Sequence, residues 1–335
     1  MLMSVMRNER LLVAQDQILT LLEQAEIPAA ILKGSSVSRY YPQPDLRVLG
    51  DVDILIPIER VDQVKDMLLQ MGYAFHESDH EFHLGFTRNG AYVEIHYDVT
   101  VLPDCKGGEY TALETKHFLD QVDTASVSGH RFPVLTEPHQ ALCLLLHMVR
   151  HTRDSGIGLR QLCDWAMFTA NTDPEHFRKD IAPMLDRCGL LRYAMVATQA
   201  CVRYLGLPAA CAPWCADVKT ADARCFMENI FSGGSLGGAD TEKMGRVLSR
   251  GNIPGKKQSY LQMILAGLTK HAHYRFPITL RHRWLLPFFW IYIPLAYWVR
   301  SLLGLREKKS ITAAARNAKA QQKFYEMLDI FEVSE

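Results

Sequence analysis

Gly50-Asp51-Val52-Asp53-Ile54-Leu55-Ile56 places two carboxylates one residue apart inside an apolar, β-branched run. In an extended strand, side chains at i and i+2 leave the same face. Asp51 and Asp53 therefore project together, while Val52, Ile54 and Ile56 face a core. Two like charges a few ångströms apart repel, and the pairing is costly until a cation neutralises it. Paired oxygen donors suit a hard ion such as Mg²⁺ (or Mn²⁺), which keeps several waters and shares substrate phosphates. Metal-assisted phosphoryl or nucleotidyl transfer is the first expectation.

Two flanking segments extend this reading. Ala29-Ala30-Ile31-Leu32 reads as a short buried strand that ends in the small turn Lys33-Gly34-Ser35-Ser36. Backbone N–H groups in such a turn approach triphosphate oxygens closely. Ala91-Tyr92-Val93-Glu94-Ile95-His96-Tyr97 reads as a strand on which Glu94 and His96 share a face. A two-metal site needs an acid from a second strand, because two acids from one strand supply too few ligands for two ions. Glu94 is the expected third ligand. Lys33 either neutralises phosphate as a compact charge or pairs with Asp51 or Asp53. Arg47 has the fork for bidentate phosphate binding, with Asp45 as its alternative partner. His96 orients Glu94, contacts the nucleotide or packs as a structural histidine. His80 and His83 precede a hairpin and line the cleft, or do nothing.

The chain has 335 residues, a length that suits about two domains. Its 37 basic and 37 acidic residues leave no net charge. A large nucleic-acid footprint needs a basic excess or a dense basic face, so a polymeric nucleic acid is disfavoured as partner. A small nucleotide needs only a local basic pocket. Eight scattered cysteines show no paired zinc spacing, and several lie in apolar helical patterns. The first ten residues lack the long apolar core of a signal peptide. A reducing cytoplasm is the expected compartment.

Apolar spacing predicts a helix over residues 9–25, a helix from Ser35 to Tyr41 with Ser35 as N-cap, and another from Val61 to Met71 closed by Gly72. Strands are predicted at Tyr73 to Phe75, Phe82 to Thr87 and Tyr92 to Val99, with Asn89-Gly90 turning the last two into a hairpin. From Glu137 the pattern turns helical, so a boundary is drawn at residue 135, separating 1–135 from 136–335. His147, Arg150 and His151 share a helix face and read a phosphate or acceptor, or bridge the domains. Asp164 is a candidate buried partner for that group. The run Ser232-Gly233-Gly234-Ser235-Leu236-Gly237-Gly238 reads as a loop.

Trp284 to Val299 is uncharged and aromatic-rich, but it contains Pro287 and Pro294 and is short for a membrane span. Arg281, His282 and Arg283 precede it; Arg300, Arg306, Lys308 and Lys309 follow. A buried helix, a dimer contact, a true span or peripheral contact with the inner face of a membrane all remain open at this point.

Leu32-Lys33-Gly34, Tyr40-Tyr41-Pro42, Arg47, the acidic strand and Val93-Glu94-Ile95-His96 together resemble the bacterial uncharacterised nucleotidyltransferase family, within the DNA polymerase beta-like nucleotidyltransferase superfamily. The similarity covers the first half well. Leu145 to His151 and Leu162-Cys163-Asp164-Trp165 resemble the helical second half more weakly. The resemblance implies an α+β fold, a nucleotidyltransferase-like mixed sheet with flanking helices followed by a mostly helical domain. It implies metal binding at Asp51, Asp53 and Glu94, and phosphate contact at Gly34-Ser35. One departure stands out: Tyr41 to Arg47 separates the Gly-Ser turn from the acidic pair. The expected activity moves a nucleoside monophosphate from an NTP to a small-molecule, glycan-related or protein acceptor. The competing expectation is a nucleotide-binding sensor or assembly subunit that transfers nothing.

Overall fold

A computed structural model describes residues 2–76, 82–154, 156–233, 259–302 and 321–333. His80, residues 234–238 of the glycine-rich run, Arg306, Lys308 and Lys309 lie outside the described residues.

Seven strands, β1 (Ala30–Ile31), β2 (Val52–Leu55), β3 (Ala74–His76), β4 (His83–Arg88), β5 (Ala91–His96), β6 (Val122–Val127) and β7 (His130–Leu135), form one sheet in the order β3-β4-β5-β2-β1-β7-β6. β2 runs parallel to β5 and antiparallel to β1, which is parallel to β7. Antiparallel hairpins extend both sides. The Asn89-Gly90 turn has positive φ at both residues, 51° and 75°, as a two-residue hairpin requires.

Alternation along the central strands divides the molecule into two cores. Ile31, Val52, Ile54, Val93, Ile95 and Phe86 leave one face and meet α1 (Leu2–Gln24) and α3 (Val61–Gln70), through Leu11, Leu12, Ile18, Leu22, Val64 and Leu68. Val52, Ile54 and Ile56 are buried there, as the alternation predicts. The other face carries Ala30, Leu32, Leu55 and Leu135 into a larger core built on α5 (Glu137–Asp154) and α6 (Leu159–Asn171). The Asp51–Asp53 face thus meets the helical part of the chain.

The larger core is completed by the helices Leu191–Tyr204 and Thr220–Gly233 and by residues 321–333 near the C-terminus. Phe331 donates its backbone N–H to the Gly189 carbonyl at 2.8 Å. Its backbone crosses so close to Gly107 and Gly189 that a Cβ on either would lie 2.6 Å or less from it. The helix Tyr260–Arg275 pairs with Leu286–Leu302 around a small separate core of Leu268, Ala272 and Ile293.

Three elements differ from the sequence expectations. The first helix starts at Leu2, well before residue 9. The turn after β1 leads into only a four-residue helix, α2 (Ser35–Ser38), whose N-cap is Gly34. The Ser35 hydroxyl does not cap it, donating instead to Gln15 Oε1 on α1. The β6–β7 hairpin, turned by Ser128-Gly129, is additional. Polar residues along β6, which the outermost strand tolerates, and Pro133 within β7 hide its period.

Candidate active site

The site is set by register. Asp53 on β2 sits opposite Glu94 on β5, and Leu55 opposite His96. His83 on β4 sits opposite His96, and Gly85 opposite Glu94. Paired residues on neighbouring strands share a face, so Asp51, Asp53, Glu94, His96 and His83 converge on the side met by the helices. One oxygen from each of Asp51, Asp53 and Glu94 lies within 4.8 Å of the others.

Four contacts from α1 steady the approach to this strand. Asn8 donates to the carbonyls of Asp45 (2.9 Å) and Arg47 (3.0 Å) and accepts from the Leu49 N–H (2.9 Å). Arg7 donates to the Gly50 carbonyl at 3.0 Å. Gly34 turns the chain after β1 with φ 67°, a region that side chains with a Cβ resist. That turn follows Lys33, whose ammonium donates to Asp53 Oδ1 and stands 3.9 Å from Asp51 Oδ2.

Asp53 is fully buried, Glu94 is 14% exposed and Asp51 33% exposed, so the trio opens to solvent through Asp51. Burial pushes the Asp53 carboxyl up, but the Lys33 charge and the His96 hydrogen bond outweigh it and hold Asp53 well below the usual carboxylate range. The charge of Asp53, then burial, raises Asp51. Burial opposes the Lys33 charge, yet Asp53, Asp51 and Glu94 together raise its pKa. Glu94 is lowered against burial, chiefly by its hydrogen bond with His96. His96 Nε2 lies 3.0 Å from Asp53 Oδ1 and 3.1 Å from Glu94 Oε2.

Lys33 thus occupies the salt-bridge role that the sequence offered as an alternative to phosphate contact. Its single charge faces three carboxylates. Asp53 Oδ2 is buried and has no hydrogen-bond partner among the described residues. A buried carboxylate oxygen without a donor is costly, and a cation in contact with it removes that cost. The donor set is all oxygen, which suits Mg²⁺ or Mn²⁺.

Arg47 is placed differently from the expectation. Its guanidinium grips Asp164 on α6 as a two-pronged pair, Nε to Oδ1 at 3.0 Å and Nη2 to Oδ2 at 2.6 Å. The Tyr41 hydroxyl donates to the same Oδ1 at 2.7 Å. Asp45 is therefore not the partner of Arg47, and Asp164 pairs with neither His147 nor Arg150. Buried, with Nε and Nη2 on a carboxylate and Nη1 3.4 Å from the Val48 carbonyl, Arg47 pins the Tyr41–Arg47 segment to the helices.

The helices α5 and α6 supply other cations on this side of the sheet. Arg160, at the start of α6, reaches within 3.9 Å of where a Gly50 Cβ would stand, and its charge offsets a small part of the rise in Asp51. Arg150 on α5 lies over the Phe82 ring, 5.0 Å from its centroid. His147 and His151 meet edge to face, 4.5 Å between ring centroids. Burial, then the charges of Lys33 and neighbouring cations, pushes His147 down; burial, Arg150, Lys33 and Arg160 push His151 down to about 4. Both rings are therefore neutral at pH 7. Arg150 and His147 carried a helical spacing signal in the sequence. Arg160, next to a loop, carried none.

Comparison with known proteins adds two findings. Residues 1–206 match the family described as uncharacterised nucleotidyltransferase, a span that runs past residue 135 to the end of the helix Leu191–Tyr204. The crystal structure of an antigenic nucleotidyltransferase-like protein from Paracoccidioides brasiliensis matches with 14% identity and a TM-score of 0.39, covering 61% of this chain and 92% of that one. No curated protein matches the chain.

Proposed function

Because the chain belongs to the uncharacterised nucleotidyltransferase family, we propose that it moves a nucleoside monophosphate from an NTP to an acceptor, with Mg²⁺ or Mn²⁺ held by Asp51, Asp53 and Glu94. The observation that carries this reading is the convergence of those three carboxylates around a buried Asp53 oxygen that has no hydrogen-bond donor among the described residues. Held by Asp51, Asp53 and Glu94, a divalent cation would supply Lewis-acid chemistry, lowering the pKa of an acceptor hydroxyl and neutralising charge on pyrophosphate.

The chain's own groups do the rest. Lys33 keeps Asp53 ionised and adds a positive charge beside the three carboxylates. His96 bridges Asp53 and Glu94 and fixes the Glu94 carboxylate. The Gly34-Ser35 turn contributes backbone N–H groups; the Ser35 hydroxyl is engaged by Gln15. Arg150 and Arg160 take the phosphate-facing role first expected of Arg47, which instead positions the strand entry. Helices beyond residue 135 wall the cleft and supply the acceptor pocket.

Asp51→Asn is the cleanest test. It removes a ligand and also the charge that repels Asp53, so stability should hold or rise slightly while turnover falls. Pyrophosphate release and protein self-labelling, measured with each NTP and Mg²⁺ or Mn²⁺, should drop by roughly 10²-fold or more. Turnover equal to the parent protein would overturn the assignment. Nucleotide binding without pyrophosphate release from the parent protein would favour the sensor reading.

We infer that the partner of Trp284–Val299 is an anionic membrane surface, met on the cytoplasmic side. No helix among the described residues is long and apolar enough to cross a membrane. The helix Leu286–Leu302 and the turn before it leave Trp284, Phe288, Ile291 and Leu295 more than half exposed, while Phe289, Trp290 and Ile293 pack inward. Arg281 and Arg283 flank that stripe, and a basic, aromatic edge suits anionic headgroups. The protein should sediment with phosphatidylserine vesicles and not with phosphatidylcholine ones. Trp284→Ser/Phe288→Ser should weaken binding at least tenfold, and equal binding by that variant would remove the lipid assignment.

A further inference from the structure

Beside the acid trio, the Nε2 atoms of His83 and His96 flank the Glu94 carboxylate. His96 Nε2 is 3.1 Å from Oε2 and His83 Nε2 is 3.6 Å from Oε1. One donor atom from each of the three residues lies within 4.8 Å of the others. A tetrahedral ion with bonds of about 2.0–2.1 Å separates its donors by about 3.3 Å, and each imidazole nitrogen lies close to that distance from the carboxylate oxygen nearest it.

The surroundings hold both rings in place. His96 Nδ1 lies 3.3 Å from the Asp98 carbonyl oxygen. A carbonyl only accepts, so Nδ1 carries the hydrogen and Nε2 is directed at the carboxylates. A histidine that donates its second ring N–H to a backbone carbonyl is the arrangement that orients metal ligands. The Phe82 ring packs 4.9 Å from His83 and 6.1 Å from His96, centroid to centroid. Both histidines are only 2% exposed.

We propose that His83, Glu94 and His96 bind one zinc-class transition-metal ion, at a centre that shares Glu94 with the acid trio. Donor chemistry separates the two centres. The trio offers oxygen alone and suits Mg²⁺, whereas two imidazoles with one carboxylate suit Zn²⁺. Three protein donors leave a fourth position for water or an incoming ligand. Because Glu94 is common to both, filling the histidine centre ties the geometry of the trio to that of β4. The proposal goes beyond nucleotidyl transfer and is tested with metal alone.

Metal-stripped full-length protein is titrated with Zn²⁺ against a chromophoric chelator, without nucleotide. One tight equivalent is expected. His83→Gln, which keeps a polar side chain in place of the ring, should weaken it at least tenfold, while Asp51→Asn should retain it. Zinc affinity unchanged by His83→Gln, equal loss in Asp51→Asn, or no zinc bound by the parent protein would each overturn the proposal. X-ray absorption on the zinc-loaded parent protein decides the matter without relying on a variant. Scattering from two imidazoles supports the centre, and thiolate ligation or fewer than two imidazoles refutes it. Pyrophosphate release is scored separately, so zinc binding without turnover, or the reverse, shows which reading has failed.

Discussion

Asp53→Asn should both silence turnover and weaken the fold, unlike Asp51→Asn. The Asp53 side chain is completely buried, and it holds Lys33 and His96 through one oxygen. An amide at that position keeps a hydrogen-bond acceptor but removes the charge that balances the buried ammonium. Breaking a buried ion pair from one side costs about 3–5 kcal/mol, and Asp51, near enough to Lys33 to compensate in part, puts the expected loss at the lower end. Pyrophosphate release should fall by roughly 10²–10³-fold or more. Urea unfolding alongside the activity assay separates the two effects. Stability equal to the parent protein would show that Lys33 finds its counter-charge elsewhere.

Asp164→Ala should give the largest loss of stability of any single change outside the apolar cores. Arg47, with the Tyr41 hydroxyl beside it, would remain buried without its carboxylate. The expected destabilisation is about 3–5 kcal/mol in chemical denaturation. The double change Arg47→Met/Asp164→Leu removes both charges and fills the space with apolar groups, so it should recover most of that loss. If the double variant is no better than Asp164→Ala, the pair is not the source of the effect. Turnover should fall as well, because Arg47 anchors the segment leading to Gly50 and Asp51.

The sequence made the site's strands legible because their chemistry is local. The alternation in Val52–Ile56 and in Val93–His96 fixes which side chains share a face, and Asn89-Gly90 fixes a hairpin. Register between β2 and β5 follows from the sheet order and cannot be read from either strand alone. The same limit explains Arg47. Its partner lies 117 residues away on a helix, so nearby Asp45 was the only visible candidate. Arg160 reaches the Gly50–Asp51 corner because Asp164 ties α6 to Tyr41 and Arg47, in the segment that leads to that corner. The β6–β7 hairpin escaped detection because an exposed outer strand has no need of an apolar period. The helical half was recognisable by spacing, but its close fit to the sheet was not, since one continuous core crosses the boundary drawn at residue 135.

The passage of Phe331 across Gly107 and Gly189 has a bearing on the aromatic hairpin 259–302. Chain before that hairpin, through Ile230, and chain after it, from Phe324, are both rooted in the same core. The hairpin is therefore an excursion with two moorings, not a free tail. Cutting the chain at residue 258 would remove the hairpin but also strip Phe324, Leu328 and Phe331 from the protein's interior. Excising 259–302 and rejoining the ends is the edit that isolates what the hairpin does.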